Sequence, residues 1–225
     1  MSEFNQQALQ TRLQQGLEAM ALEIAPEIRE KLLHYLALVH KWNKVHNLTA
    51  VRAPEDMVTL HLLDSLAVLP HIKAERLLDV GSGAGLPGIP LALCLPELKV
   101  TVLDSSHKKA SFMRQAKAEL AIANLEVVCD RVEQFKPEAL YDVIISRAFS
   151  DLNQFTGLTR HLCKPQGQWL AMKGVHPYDE LAQINIKPER IVPLTVAGLD
   201  AQRHLIFLPF NPQDTHHENT RSKAA

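Results

Sequence analysis

The sequence predicts an α/β protein: a seven-stranded, mostly parallel sheet preceded by a helical N-terminal extension. Three observations predict it. The first 70 or so residues carry only helical apolar spacing. From residue 76, short runs rich in Val, Leu and Ile alternate with helical stretches. The first such run feeds directly into a glycine-rich turn at 79–92, "DVGSGAGLPGIPLA". Strands and helices in alternation make βαβ units, and βαβ units make a parallel sheet.

Across 2–22, Leu9, Leu13, Leu17, Met20 and Ala21 recur at helical spacing, with Gly16 the one break. Pro26 suits the first turn of a second helix, which runs through Leu32, Leu33, Leu36 and Val39 to about Asn43. Pro54-Glu55-Asp56 opens a third, with acids at its amino end, ending near Pro70. Strands are then expected at 76–80, 99–103, 125–129, 141–145 and 168–172. Helices are expected between them at 87–95, 106–121 and 151–162, with a short one near 132–139. Two late runs, 187–196 and 203–209, flank a Gly-Leu-Asp turn and read as an antiparallel edge on the parallel sheet. The polar stretch from Asn211 is expected to be a flexible tail. The chain thus divides into a helical extension (1–70), an α/β domain (71–210) and a tail (211–225).

The 225 residues are 46% hydrophobic, enough for one sizeable core. Lys plus Arg number 24 against 25 Asp plus Glu, a net charge of -1, so any nucleic-acid contact must come from a local patch. Three cysteines without a C-x-x-C pair read as free thiols in a reducing cytosol, and no metal site is expected. The polar, acidic start "MSEFNQQALQ" does not read as a signal peptide. No apolar run reaches the ~18 residues of a membrane span, so a cytoplasmic protein is expected.

The glycine-rich turn admits two registers. Gly83-x-Gly85-x-x-Gly88 spells a dinucleotide-binding fingerprint, and Asp79-x-Gly81-x-Gly83-x-Gly85 spells the loop of an S-adenosylmethionine-dependent methyltransferase. Either way a ligand touches backbone at the carboxyl ends of the strands. Asp104, closing the second strand about twenty residues on, can accept hydrogen bonds from both ribose hydroxyls of an adenosine, or simply cap the following helix. A diphosphate needs free N–H groups at the helix start. Pro87 has none, and Asp79 is a poor neighbour for an anion, whereas a sulfonium ligand favours a carboxylate. The methyl donor fits better.

Taken together, "DVGSGAGLPGIPLA", "LDSSHKKASFMRQ", "DRVEQF" and "ISRAF", with "WNKVHNLTAVR" and "HLLDSL" upstream and "MKG" downstream, resemble the bacterial glucose-inhibited division protein B family. That family comprises 16S rRNA guanine-N7 methyltransferases. The resemblance spans roughly 35–209 and implies a Rossmann-like class I S-adenosylmethionine-dependent methyltransferase fold. It implies that Gly81 and Leu86 line the donor, that Val132 and Glu133 read the adenine edge, and that Arg147 organises the donor pocket and touches RNA. On the residues alone, Glu133 could be a surface acid, and Arg147 could pair with Asp142 or Asp151. The fourth strand ends in Ser146-Arg147-Ala148-Phe149, not the Asp/Asn-Pro-Pro-aromatic of amine methylation, and Cys163-Lys164-Pro165 has the wrong order for cytosine C5 chemistry. Guanine N7 needs neither device, and no general base is named.

Two basic stretches read as an RNA track, or else as solvated basic faces, the plainer reading for any single Lys. One runs from Tyr35 to His61 and includes Lys44, Arg52 and His61; the other, with Lys108 and Lys109, follows Asp104. Lys173 in "MKG" joins the RNA candidates; Asn47, His61, Asp64 and Ser65 match motif positions of that family and are expected to border the pocket, while Asp64 and Ser65 could equally cap or bridge helices. The expected activity is methyl transfer from S-adenosyl-L-methionine to N7 of a guanine in a decoding-region loop of 16S rRNA. The enzyme is expected to act as a monomer on 16S rRNA or a small-subunit precursor, without DNA or membrane. The other readings are a methyltransferase for a different RNA or small molecule, an NAD-dependent oxidoreductase, and a non-catalytic donor-binding module.

Overall fold

The computed structural model describes residues 4–147, 149, 151–184 and 186–211. The expected flexible tail therefore lies almost wholly outside the described residues. Seven strands form one sheet: β1 (Arg76–Val80), β2 (Lys99–Leu103), β3 (Leu125–Val128), β4 (Tyr141–Ser146), β5 (Cys163–Lys173), β6 (Arg190–Pro193) and β7 (His204–Pro209). Their spatial order is β3-β2-β1-β4-β5-β7-β6. The first five pair in parallel, while β7 runs antiparallel to both β5 and β6. The strand order reverses beside β1, so a crevice opens there at the carboxyl ends of the strands.

The amino-terminal region is helical: α1 (Gln6–Ala19), α2 (Pro26–His46), α3 (Pro54–Met57), α4 (Asp64–Leu66) and a 3-10 turn, Leu69–His71. Between α3 and α4 the chain winds as a π-helix, Val58–Leu63, which apolar spacing does not reveal. These helices share a core with one sheet face. Leu9, Leu13, Leu17, Leu36 and Val39 belong to the same buried cluster as Leu77, Val100 and Val143. The Tyr35 hydroxyl donates to the Ala84 carbonyl in the glycine turn at 2.7 Å. The stretch "WNKVHNLTAVR" has a local structural purpose as well. Asn47 ends α2 in the left-handed region, with φ 49°. Arg52 donates to the Asn43 carbonyl at 3.1 Å and to Asn47 Oδ1 at 2.8 Å, satisfying the helix end.

The opposite face carries α7 (Leu152–Thr159) and α8 (Tyr178–Gln183); Phe155 of α7 shares a buried cluster with Leu78, Ile144 and Trp169 of the sheet. Helices α5 (Gly88–Cys94) and α6 (His107–Glu119) complete the crossovers after β1 and β2. Two expectations need correction. Residues 132–139 make a single turn, with Gln134 and Phe135 donating to the Arg131 carbonyl, and no helix. Pro137, soon after the turn, removes a needed donor. Helix α8 is not legible in the sequence because none of its residues is buried, so it has no apolar stripe. Strand β5 also starts earlier than expected, where Tyr141 pairs Cys163 before a register shift.

Helix α5 packs against the sheet through Gly88. A Cβ there would lie 2.5 Å from Val102 Cγ1 and 2.9 Å from Asp79 Oδ2. Replacing Gly88 with Ala is therefore expected to destabilise the fold by about 2–3 kcal/mol. Urea unfolding of the variant against the parent checks it.

Candidate functional site

A cleft of about 390 Å³ opens at the carboxyl ends of the strands, within the range of small-molecule sites. It is lined by Val80 and Gly81 after β1, by Leu103, Asp104, Ser105 and Lys109 after β2, and by Asp130, Arg131, Val132 and Glu133 after β3. Phe149 after β4 and Leu158 of α7 close it. Of the donor residues expected from the sequence, the fold thus unites Gly81, Asp104, Val132 and Glu133. Sequence reasoning missed Asp130 and Phe149, although each lies just beyond a strand's carboxyl end, which was the available signal.

Gly81, Gly83 and Gly85 all have positive φ, 71°, 62° and 89°, so the turn is accessible only to residues without a Cβ penalty. The turn is tied to β2. Gly81 N–H and Ser82 N–H donate to the Leu103 carbonyl at 2.8 and 3.2 Å. Asp104 finishes the tie: Oδ2 accepts Gly83 N–H at 3.0 Å and Lys109 Nζ at 3.3 Å, and Oδ1 accepts Ser106 N–H at 2.9 Å. Asp104 secures the start of α6 and also lines the cleft. A carboxylate offers about four lone-pair sites, so Oδ1 keeps acceptor capacity for a ligand hydroxyl. The Lys109 side chain is 36% exposed and can turn outward to release Oδ2.

Asp79 departs from expectation. It is fully buried and does not line the cleft. Its Oδ2 accepts Gly88 N–H at 2.8 Å, while Oδ1 has no partner. Burial pushes its carboxyl up to about 7, against the Gly88 N–H, the Arg147 charge and Ser82, which pull it down. This geometry closes the amino end of α5, because its first N–H is already taken. The dinucleotide reading thus loses the phosphate-binding N–H it requires. Asp79 shapes the turn and does not line the cleft.

Arg147 does not line the cleft either. Its Nη1 donates to the Leu60 carbonyl at 3.0 Å and to Asp64 Oδ2 at 3.1 Å. Asp64, buried, also accepts Arg203 Nε at 2.7 Å. The partner is thus Asp64 and neither carboxylate that the sequence offers nearby. Asp142 pairs with Lys164 at 2.6 Å, and Asp151 caps α7 through Gln154 N–H at 2.7 Å. Leu86 is 3% exposed and packs in the core behind the turn, where it does not line the cleft.

The RNA candidates separate sharply. Lys44 and Lys108 are exposed. Arg52 is exposed but closes α2, Lys109 pairs with Asp104, and Lys173 Nζ sits 2.7 Å from Glu180 and 3.1 Å from the Phe149 carbonyl. His61 is 3% exposed, and neither ring nitrogen has a hydrogen-bond partner. Burial first, and the Arg147 charge second, lower its imidazole to about 4, so it is neutral at pH 7. Among the described residues no group of His, Cys, Asp and Glu is placed to hold a metal ion, and no helix is long and apolar enough to cross a membrane.

Comparison with known proteins bears on most of the chain. A family model described as rRNA small subunit methyltransferase G matches residues 28–206. The chain belongs to this family. The ribosomal RNA small subunit methyltransferase G of Methylobacillus flagellatus is 64% identical over 201 residues, covering 89% of this chain and 98% of that protein. The protein of the same name from Chromobacterium violaceum is 52% identical over 197 residues, covering 86% and 94%. In fold, the chain is similar to a SAM dependent methyltransferase from Aquifex aeolicus, with a TM-score of 0.52 and 20% identity over 67% of this chain and 92% of that one. The methyltransferase G family match begins within α2 and ends within β7, so it takes in most of the second helix and all but the end of the sheet.

The buried Asp79 yields a pH prediction. Its folded value lies above its ordinary one, so its contribution is complete below about pH 4 and is lost as pH rises through 7. Asn at this position keeps an acceptor for Gly88 N–H and cannot ionise. The stability of Asp79→Asn relative to the parent is expected to rise between about pH 4 and pH 7.5, as measured by urea unfolding at both ends.

Proposed function

We propose that this chain transfers a methyl group from S-adenosyl-L-methionine to N7 of a guanine in 16S rRNA, in a loop of the decoding region. The observation that carries the reading is the cleft built on Asp104 at the switch point of the sheet, in a chain of the rRNA small subunit methyltransferase G family. The cleft fits an adenosine on chemical grounds. Asp104 presents acceptor capacity to ribose hydroxyls, and Val132 offers an apolar wall with backbone for the adenine edge. Glu133 is the side-chain acceptor beside it, and Gly81 lets the ligand approach main chain.

Bound there, S-adenosylmethionine supplies an electrophilic methyl group on a positively charged sulfur. The protein's part is positioning. Guanine N7 carries an in-plane lone pair and loses no proton on methylation, so alignment of donor and acceptor can account for much of the rate. Asp104, fixed by Gly83 and Ser106, sets where the ribose sits. Leu86 holds the exit of the glycine turn from behind, and Arg147, held by Asp64, organises the adjoining polar region. Lys44 and Lys108 supply exposed positive charge for the RNA backbone. The expected setting is the cytoplasm, with the chain acting as a monomer on small-subunit rRNA or its precursor particle.

Three measurements test this reading. Tritiated methyl transfer to 16S rRNA from cells lacking the enzyme, followed by nucleoside digestion, is expected to yield 7-methylguanosine; a different methylated nucleoside, or none, defeats the assignment. Asp104→Ala is expected to weaken S-adenosylhomocysteine binding about 10- to 100-fold, the worth of one or two charge-assisted hydrogen bonds. Calorimetry on the folded variant checks it. Separately, Lys44→Glu with Lys108→Glu is expected to make RNA binding less salt-dependent. The log–log slope should fall by roughly 0.7–0.9 for each phosphate that is no longer neutralised. Filter binding at several salt concentrations reads this out.

A further inference from the structure

Strand β5 ends at Lys173 on the same sheet edge as the cleft, and the segment that follows presents side chains unusual for a protein surface. Val175 is 76% and Tyr178 is 73% exposed, two of the four large hydrophobics exposed among the described residues. The Tyr178 ring stacks on the His176 imidazole, with centroids 4.0 Å apart and planes 30° apart. His176 in turn meets the edge of His204 at 5.4 Å, where β7 begins. An exposed tyrosine whose ring is backed on one side by an imidazole leaves its outer face to solvent.

The segment is also anchored. Glu180 accepts Lys173 Nζ at 2.7 and 3.0 Å and Leu152 N–H at 3.0 Å, joining α8 to the end of β5 and the start of α7. Tyr178 N–H donates to the His176 carbonyl at 3.0 Å, and His204 Nδ1 lies 3.0 Å from the Gly174 carbonyl. The anchor leads directly to the cleft, because Lys173 also holds the carbonyl of Phe149, a cleft wall. Arg203 adds positive charge beside Gly174, where its Nη1 would lie 3.7 Å from an added Cβ.

We propose that His176 and Tyr178 form a platform on which an unpaired nucleobase of the substrate RNA stacks, beside the nucleotide that enters the cleft. The inference rests on the RNA-methylating function proposed above and adds a surface to it. Every base has a π-face, so a rigid aromatic pair gives binding without demanding sequence. Unpaired bases are what single-stranded RNA loops offer to such rings. Arg203, whose Nε is held by Asp64 at 2.7 Å and whose Nη1 donates to the Gln202 carbonyl at 2.9 Å, lies beside the same segment. Lys44 and Lys108 supply long-range attraction; the platform supplies a short-range contact that salt does not screen.

Tyr178→Ala, Tyr178→Phe and the parent are compared by filter binding to deproteinised 16S rRNA across salt concentrations, with S-adenosylhomocysteine affinity measured alongside. Tyr178→Ala is expected to bind RNA about tenfold more weakly, with an unchanged salt slope and unchanged S-adenosylhomocysteine affinity, and Tyr178→Phe to bind like the parent. Unchanged RNA affinity in Tyr178→Ala overturns the proposal. So does a changed salt slope, which marks a charge contact, or a fall in S-adenosylhomocysteine affinity, which marks a structural role. A defect seen with assembled small subunits and not with deproteinised RNA also overturns it, in favour of a protein partner. The parent's yield of 7-methylguanosine decides the function independently of these binding results.

Discussion

The Asp104 carboxylate joins three pieces of chain that would otherwise end separately. Through Gly83 N–H it holds the glycine turn after β1; through Ser106 N–H it starts α6; through Lys109 it draws the first turn of that helix over the cleft. Charge-assisted bonds of this kind are about twice as strong as neutral ones. They are also directional, so the turn, the strand end and the helix take fixed relative positions. That arrangement fixes one wall of the cleft, and Oδ1, with a single donor on it, keeps acceptor capacity facing the ligand side.

A second polar centre lies between the helical region and the sheet. Asp64 sits at the end of the π-helical segment and binds Arg147 from the end of β4 and Arg203 from just before β7. One buried carboxylate facing two guanidinium groups leaves net positive charge there. Burial keeps both neighbours neutral at pH 7: it lowers the His61 imidazole, with the Arg147 charge adding to it, and it pushes the Tyr35 phenol far above its ordinary range against that charge. The π-helix, a geometry often found at functional sites, sets where Asp64 meets these partners. The helical region thus shares both a core and an ion-pair network with the sheet.

Much of this architecture is legible in the residue pattern. The seven strands, the parallel order broken by an antiparallel edge, and the first two helices follow from the period of apolar residues and from Pro and Gly at the element ends. Where elements are short or lack a buried face, periodicity carries no signal. Residues 132–139 have the composition of a short helix and form one turn; α8 escapes the pattern because it buries nothing. At the site, Gly81, Asp104, Val132 and Glu133 sit together because each follows a strand's carboxyl end, a position that sequence order reveals.

The fold class, the register of the glycine turn and the acid that closes β2 all follow from the chain's own letters, because they depend on local residue types and on spacing along one chain. The pairings do not. Asp79 turns inward to Gly88, not outward to a ligand; Arg147 meets Asp64, far back in the helical region; Lys109 serves Asp104, and Lys173 serves Glu180. The physical reason is that a side chain's partner depends on how the backbone folds back, which residue order does not reveal: over five to nine residues for Lys109, Lys173 and Asp79, and over 83 for Arg147 and Asp64. The need for a partner is greatest where burial denies a charge water, as at Asp64.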